Sequence, residues 1–405
     1  MRTFAAGLLL FCLTLVGCAA PAHAAQSEIV TPAGLPSVID GHADFAIHYM
    51  RRGWSANGYD IERSLPGQAD VPRWRAGGIN GVLVTVGTDL APGSARHFPR
   101  VLASLDWLDA LIARHDGVLR KALSAADFEA ADQEGRIALM PAIEGGDQID
   151  GSLENLQTAY ARGVRSMGII YDHHNDIGDG AMVMPSSTSV AAPLNGGLSA
   201  FGREVVAEMN RLGMLIDLSH AAESTSLDVL RLSNAPVIFS HSGARALADT
   251  PRNLSDSVLR AVAANGGVVM VSLVPYLTTT EHWRWWSSGE TTYAALEHRY
   301  KGDKAAIARA MAEWDAANPQ PTVTAAQVAD QVEHVVRIAG IDHVGIGSDF
   351  DGMDSFVIAD LKDAASVRAL LGELMLRGWG DVELHKLARG NVLRVMKAVE
   401  ARAAR

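Results

Sequence analysis

MLIDLSH at 214–220 and APVIFSH at 235–241 decide how this chain folds. Each is a short apolar run that ends in Ser-His. Such a run is too brief for an ordinary helix and too uniformly apolar for a strand with one wet face. It reads as a strand buried on both sides, the mark of a parallel sheet covered by helices. Working outward, six more runs share the pattern. They are SVIDGHAD (37–44), GVLVTVG (81–87), IALMPAIEGG (137–146), VRSMGIIY (164–171), GVVMVSLV (267–274) and HVGIGSDF (343–350). Segments of helical character separate most of them, among them LENLQTAYARG (153–163), GREVVAEMNRLG (202–213) and SDSVLRAVAANG (255–266). Eight strand-helix units predict a closed (β/α)8 TIM barrel, α/β in class and a single domain, over an open doubly wound sheet.

The polar residues fall at one end of these runs. Five of the eight carry His, Asp or Glu at the C-terminal end, the face on which barrels of this kind build active sites. His42 and Asp44 stand two apart on a strand, so both side chains leave the same side. Glu144 follows an apolar run directly, where an unpaired carboxylate is expensive to bury and a cation would offset that. His220 and His241 end adjacent runs in the same register. Asp349 ends the last run and is placed to reach the barrel axis. DFDGMD (349–354) has its glycine at the wrong offset for an EF-hand loop and lacks the closing Glu, so Asp351 reads as a turn cap. Three imidazoles and two carboxylates suit zinc or a similar divalent ion. Five ligands exceed the need of one tetrahedral ion, and a bridging Glu144 between two ions uses them all.

The rest of the chain narrows the setting. Residues 1–24, MRTFAAGLLLFCLTLVGCAAPAHA, have the build of a secretory signal. Two cleavage readings stand open. Leu15-Val16-Gly17-Cys18 resembles a lipobox, which makes Cys18 a lipidated first residue and the only link to a membrane. Ala22-His23-Ala24 resembles a site that releases a soluble periplasmic protein. Either way the protein is expected to be exported, with a linker over 25–36 and the catalytic domain over 37–400. Cys12 and Cys18 are the only cysteines, so the domain has no disulfide, no thiolate ligand and no cysteine nucleophile. A net charge of −11 argues against nucleic acid as a partner. The aromatic stretch HWRWW (282–286) lines a pocket or dimer interface, or packs the small core of its own connection; KAAIARAMAEWDAA (304–317) reads as a solvated helix with an apolar stripe.

At DGHAD (40–44), AIEGG (142–146), IDLSH (216–220), PVIFSHSGARAL (236–247), RNLSD (252–256), NGGVVMV (265–271) and VGIGSDFDG (344–352), continuing to GNVLRVM (390–396), the chain resembles the membrane (renal-type) dipeptidases, the M19 metallopeptidases. The resemblance spans nearly the whole chain after the leader. It implies an amidohydrolase-like TIM barrel, a dipeptide substrate, two zinc ions per subunit and a homodimer. It implies His42 and Asp44 as ligands of the first zinc, Glu144 as the bridge, and His220 and His241 as ligands of the second. Asp349 matches the acid/base residue beside a metal-bridging hydroxide, and Arg252 the residue that grips the substrate's terminal carboxylate. The family carries a His in a Thr-His-x-x-x-Asn segment after the fourth strand. Here that segment reads Ile170-Tyr171-Asp172-His173-His174-Asn175-Asp176 and puts Tyr171 at the position. A phenol can donate to a developing oxyanion; His173 and His174 stand as alternatives. Other dinuclear hydrolases, acting on an N-acyl amino acid, a lactam or a lactone, would use the same centre. A non-catalytic binding lipoprotein would be expected to lack a ligand or Asp349, and neither is missing.

Overall fold

The computed structural model describes residues 34–403, apart from 52, 54, 56, 57, 64, 88–96, 182–192 and 353–355. The expected leader, with Cys18, and the linker up to residue 33 lie outside the described residues. Among the described residues no helix is long and apolar enough to cross a membrane.

All eight apolar runs become strands. In chain order they are β1 (Val38–Ala43), β2 (Ile79–Val86), β4 (Ile137–Ile143), β5 (Ser166–Gly168), β6 (Leu215–Asp217), β7 (Ile238–Ser242), β8 (Val268–Ser272) and β9 (Val344–Gly347), with an additional β3 at Leu119–Lys121. Every pairing is parallel, and β2 pairs with β4 as well as with β1, which closes the ring β1-β2-β4-β5-β6-β7-β8-β9. The sequence reading has no counterpart for β3. It is Leu-Arg-Lys, not an apolar run, and it pairs with Ile137–Leu139 while β5 pairs with Ala142 and Ile143. The two short strands thus share one edge of β4, β3 at its start and β5 at its end. β3 is an accessory to the barrel wall.

Both faces of the strands are buried, as their uniform apolarity requires. Along β4, Ile137, Leu139 and Ile143 join the large core beneath the helices, while Ala138, Met140 and Ala142 join a second core with Leu83, Ile238, Val268 and Met270. The helices between strands obey their local signals. Ser152, Ser199 and Ser255 cap the helices Leu153–Ala161, Ala200–Leu212 and Asp256–Asn265 by accepting from backbone N–H groups, and Gly213 and Gly266 close the last two at positive φ. The helix Lys304–Ala317 buries only Ile307 and Met311, one apolar stripe on a solvated element.

The barrel interior is narrow, and a glycine sets its width. A Cβ on Gly347 would lie 1.7 Å from the Ser240 carbonyl oxygen and 3.2 Å from the Met270 Cβ, so β9 approaches β7 only because residue 347 has no side chain. Gly347→Ala is expected to destabilise the fold by about 3 kcal/mol through overpacking against backbone that cannot move aside. Gly372→Ala, on the helix Arg368–Leu376 with nothing within 4 Å of the new methyl, should be neutral or slightly stabilising. Denaturant midpoints of the two variants check this; equal midpoints would refute the tight approach.

Candidate metal centre at the barrel mouth

The residues singled out along the sequence converge at the C-terminal ends of the strands. His42 lies in β1 and Asp44 one residue beyond it, Glu144 directly follows β4, His220 lies three residues past β6, His241 lies in β7, and Asp349 lies two past β9. One oxygen of Glu144 is the hub. Its Oε1 stands 3.1 Å from His220 Nε2, 3.3 Å from His241 Nε2 and 3.5 Å from His42 Nε2. On the other side of His42, the same Nε2 is 3.5 Å from Asp44 Oδ1 and 4.0 Å from Asp349 Oδ1. Two groups therefore share His42: His42–Glu144–His241 and His42–Asp44–Asp349, each with its donor atoms within 4.8 Å of one another. His220 joins the first through Glu144.

The backbone is bent to make this possible. His220 (φ 68) and Asp349 (φ 64) both adopt the left-handed conformation. The conformation is uncommon outside glycine, and Asp and His are among the side chains found in it most often. Gly352 supplies room, since a Cβ there would lie 2.3 Å from Asp349 Oδ1 and 2.5 Å from Asp44 Oδ2.

Two buried aspartates beneath the cluster hold the candidate ligands in place. Asp217 Oδ1 accepts from the N–H of Ser219 and of Ser240, both at 2.9 Å, and its Oδ2 accepts the Ser240 hydroxyl. With its one proton given to Asp217, the Ser240 oxygen must accept from His241 Nδ1, 2.8 Å away. This fixes the His241 tautomer and turns the Nε2 lone pair toward Glu144. His220 is fixed the same way, because its Nδ1 lies 3.1 Å from Asp172 Oδ1 and a carboxylate only accepts. Asp40 ties β1 to β9 by accepting the Ser348 N–H at 2.7 Å. Burial pushes the Asp40 carboxyl up to about 6, against the opposing hydrogen bonds from Ser348 and His42.

The electrostatics show what the cluster wants. Burial pulls the His42 imidazole down, yet Glu144, Asp44 and Asp349 outweigh it and hold it well above its ordinary range. For His220, burial and Arg252 oppose Asp172 and Glu144, and the carboxylates prevail. His241 goes the other way: burial, then His42, Arg252 and His220, hold it well below. Burial, with Asp44 and Glu144 against the opposing pull of His42, pushes the Asp349 carboxyl up to about 8. Three converging imidazole nitrogens and three carboxylates thus compete for positive charge. Divalent cations supply it without a proton, and a mixed nitrogen and oxygen donor set with no sulfur fits zinc or a similar ion.

The flanks are defined as well. Arg252, 3 % exposed, donates from Nη1 to Ser242 Oγ (3.0 Å) and from Nη2 to the His241 carbonyl (3.2 Å), and aims Nη2 at His241 Nε2 (2.7 Å). Tyr171 lays its ring beside that of His220, centroids 4.7 Å apart. His174 is engaged in its own loop instead: Nδ1 accepts from the Gly180 N–H at 3.0 Å, and the ring lies 3.5 Å from Asp179. His173 pairs with Asp147 at 3.1 Å. The residue of this segment that meets a candidate ligand through a hydrogen bond is Asp172, which the sequence reading did not single out. Tyr276 is likewise not singled out by the sequence; burial, then Asp349 and Asp172, raise its phenol, while Arg252 opposes them. It follows an apolar run at the mouth of β8, the one signal that could have found it. HWRWW packs behind it: Trp286 stacks on Tyr276 at 4.6 Å and on Trp283 at 5.3 Å. The stretch builds the small core of its own connection.

A parallel barrel whose strand ends gather such a donor set defines a hydrolase that works through bound cations. The chain belongs to the membrane dipeptidase family, peptidase family M19, whose family model matches residues 34–405. It is 32 % identical over 379 residues to dipeptidase verJ of Clonostachys rogersoniana, covering 90 % of this chain and 84 % of that one. It is 34 % identical over 373 residues to dipeptidase aclJ of Aspergillus oryzae, covering 89 % and 78 %. Among solved structures, the probable dipeptidase PvdM from Pseudomonas aeruginosa superposes with a TM-score of 0.77 at 25 % identity, covering 91 % of this chain and 96 % of that one. The protein is a metal-dependent dipeptidase of this family.

Proposed function

We propose that the protein is a zinc-dependent dipeptidase that hydrolyses dipeptides bearing a free C-terminal carboxylate. The observation that carries the reading is the sharing of Glu144 Oε1 by three imidazole nitrogens, beside a second carboxylate pair reached through His42. His42 and Asp44 would hold one ion, His220 and His241 the other, and Glu144 both. When bound there, the ions supply Lewis-acid polarisation of the scissile carbonyl and a water acidic enough to attack as hydroxide near neutral pH.

The chain's own residues do the rest. Asp349, at the rim of the cluster, takes the proton of the attacking water and returns it to the leaving amine. Arg252 presents a planar fork that suits a carboxylate. Its anchors, Ser242 Oγ and the His241 carbonyl, hold that fork beside the candidate ligand His241. Tyr171, against His220, contributes a wall of the pocket. Arg252→Met is expected to raise KM for a free dipeptide by roughly 10- to 100-fold, the worth of a charged hydrogen-bonded contact. The same change should leave a C-terminally amidated dipeptide as poor as before. Equal cleavage of free and amidated dipeptides by the unaltered protein would remove the carboxylate grip.

The deciding experiment is metal analysis of the purified protein beside hydrolysis of a panel of free dipeptides, N-acyl amino acids, lactams and lactones. Cleavage of the dipeptides with about two zinc ions per chain supports the proposal; cleavage of only the other classes overturns it. We further propose that the protein is exported, on the strength of residues 1–24. The mature N-terminus and its lipidation state separate the Cys18 anchor from the soluble form, and light scattering tests the homodimer.

A further inference from the structure

Asp172 is a carboxylate that the metal cradle does not use up. Its Oδ1 accepts from His220 Nδ1 at 3.1 Å, while among the described residues Oδ2 has no hydrogen-bond partner. Asp172 is also the most exposed side chain of the set, at 22 %, against 2–10 % for His241, His42, Glu144 and His220 and 13–14 % for Asp349 and Asp44, so it lies at the solvent edge of the centre. Arg252 lies on the other flank, its guanidinium against His241 rather than His220. Asp172 reaches the cluster through His220 at 3.1 Å and Arg252 through His241 at 2.7 Å, and the Nε2 atoms of these two imidazoles lie 3.0 Å apart, so the two flanks border one centre. Nearby anions are otherwise committed: Asp44, Glu144 and Asp349 to the cluster at His42, and Asp147 to His173 and to Asn175.

A cation flank and an anion flank on either side of a metal cradle match a zwitterion whose charges lie at its two ends. A dipeptide with both termini free is such a molecule; an N-acyl amino acid, a lactam or a lactone is not. We infer that Asp172 is a specificity-determining residue that receives the substrate's α-ammonium group on Oδ2, restricting the enzyme to dipeptides with a free amino terminus. The inference rests on the dipeptidase reading above and adds the amino-terminal half of substrate recognition. An ammonium that donates to Oδ2, on the carboxylate whose Oδ1 already accepts from His220, also couples correct docking to the orientation of a metal ligand.

Asp172→Asn tests it, because the amide oxygen still accepts from His220 Nδ1 while the charge is gone. The ratio of kcat/KM for a free dipeptide to that for its N-acetyl derivative should fall by roughly 10- to 100-fold in this variant, with bound zinc unchanged. Asp172→Glu should recover part of the ratio. Calorimetry with a phosphinate dipeptide mimic should show the same loss of affinity in Asp172→Asn when the mimic carries an amine, and none for its desamino counterpart. An unchanged ratio overturns the inference, as does a loss of zinc with both substrates falling together, which would make Asp172 a support for His220 alone. If the zinc-loaded unaltered protein cleaves no dipeptide, the dipeptidase reading fails, and the calorimetric comparison still decides whether Asp172 binds an amine.

Discussion

Glu144→Gln is expected to reduce bound metal from two ions per chain to one or none and to lower kcat/KM by roughly 1,000-fold or more. The geometry makes this carboxylate the least replaceable group in the molecule. One of its oxygens faces three imidazole nitrogens at 3.1, 3.3 and 3.5 Å, and the rest of the donor set is reached through His42. An amide keeps the shape but loses the charge, and in one orientation its N–H groups donate to the imidazole lone pairs that would otherwise hold a cation. Asp172 on His220 and Ser240 on His241 keep those lone pairs turned inward, so the amide would compete with the ion for them. Lewis-acid activation contributes several kcal/mol to catalysis, and each ~1.4 kcal/mol is tenfold in rate. Metal analysis by mass spectrometry with kinetics on one dipeptide measures both effects. The melting temperature should also stop responding to added zinc, because an ion that binds only the folded state stabilises it by mass action. Full metal content with near-normal turnover would show that Glu144 is not the hub.

This prediction uses a residue that could be found in the sequence, and the reason is physical. Where a buried strand ends, the next side chain must enter the barrel mouth. A His, Asp or Glu after an apolar run is therefore placed by the strand before it. His42, Glu144, His241 and Asp349 were legible on that ground, and the eight strands with them. His220 was legible too, although its positive φ was not. The support beneath was harder to see. Asp217 and Asp40 lie inside apolar runs and look like interruptions, until the fold shows them gathering N–H and hydroxyl groups from the next strands. Between Gly168 and Gly180 the chain leaves the strand and alternation no longer tells where a side chain points, so Tyr171, with His173 and His174 as alternatives, rests on the family resemblance, and nothing in the run from Tyr171 to Asp176 singles out Asp172. β3 was missed because a three-residue strand with two charges carries no periodic signal.

Asp349→Asn is expected to leave both ions bound and to depress kcat by roughly 100- to 10,000-fold, the range for losing a positioned acid-base group. Asparagine is the informative replacement. It tolerates the left-handed backbone at φ 64 that residue 349 must adopt, as alanine does not. It also leaves the Asp349 N–H free to donate to the His42 carbonyl at 3.0 Å, the bond that pins this turn to the first ligand strand. The floor formed by Gly352 accommodates either side chain, since carboxylate and amide are the same size. What the amide cannot do is accept a proton and give it back. The carboxyl is suited to that exchange. Burial, with Asp44 and Glu144 close by against the pull of His42, brings it to about 8, and bound cations would draw it lower, toward working pH. The competing role is that of a ligand, because Asp349 Oδ1 lies within the group formed by His42 and Asp44. The two roles separate in one measurement. A proton carrier loses kcat and keeps its metal; a ligand loses metal first, and added zinc restores part of the rate. Should the variant turn over within about threefold of the unaltered enzyme, less than 1 kcal/mol in barrel-mouth chemistry, neither role stands and the proton must travel by another group.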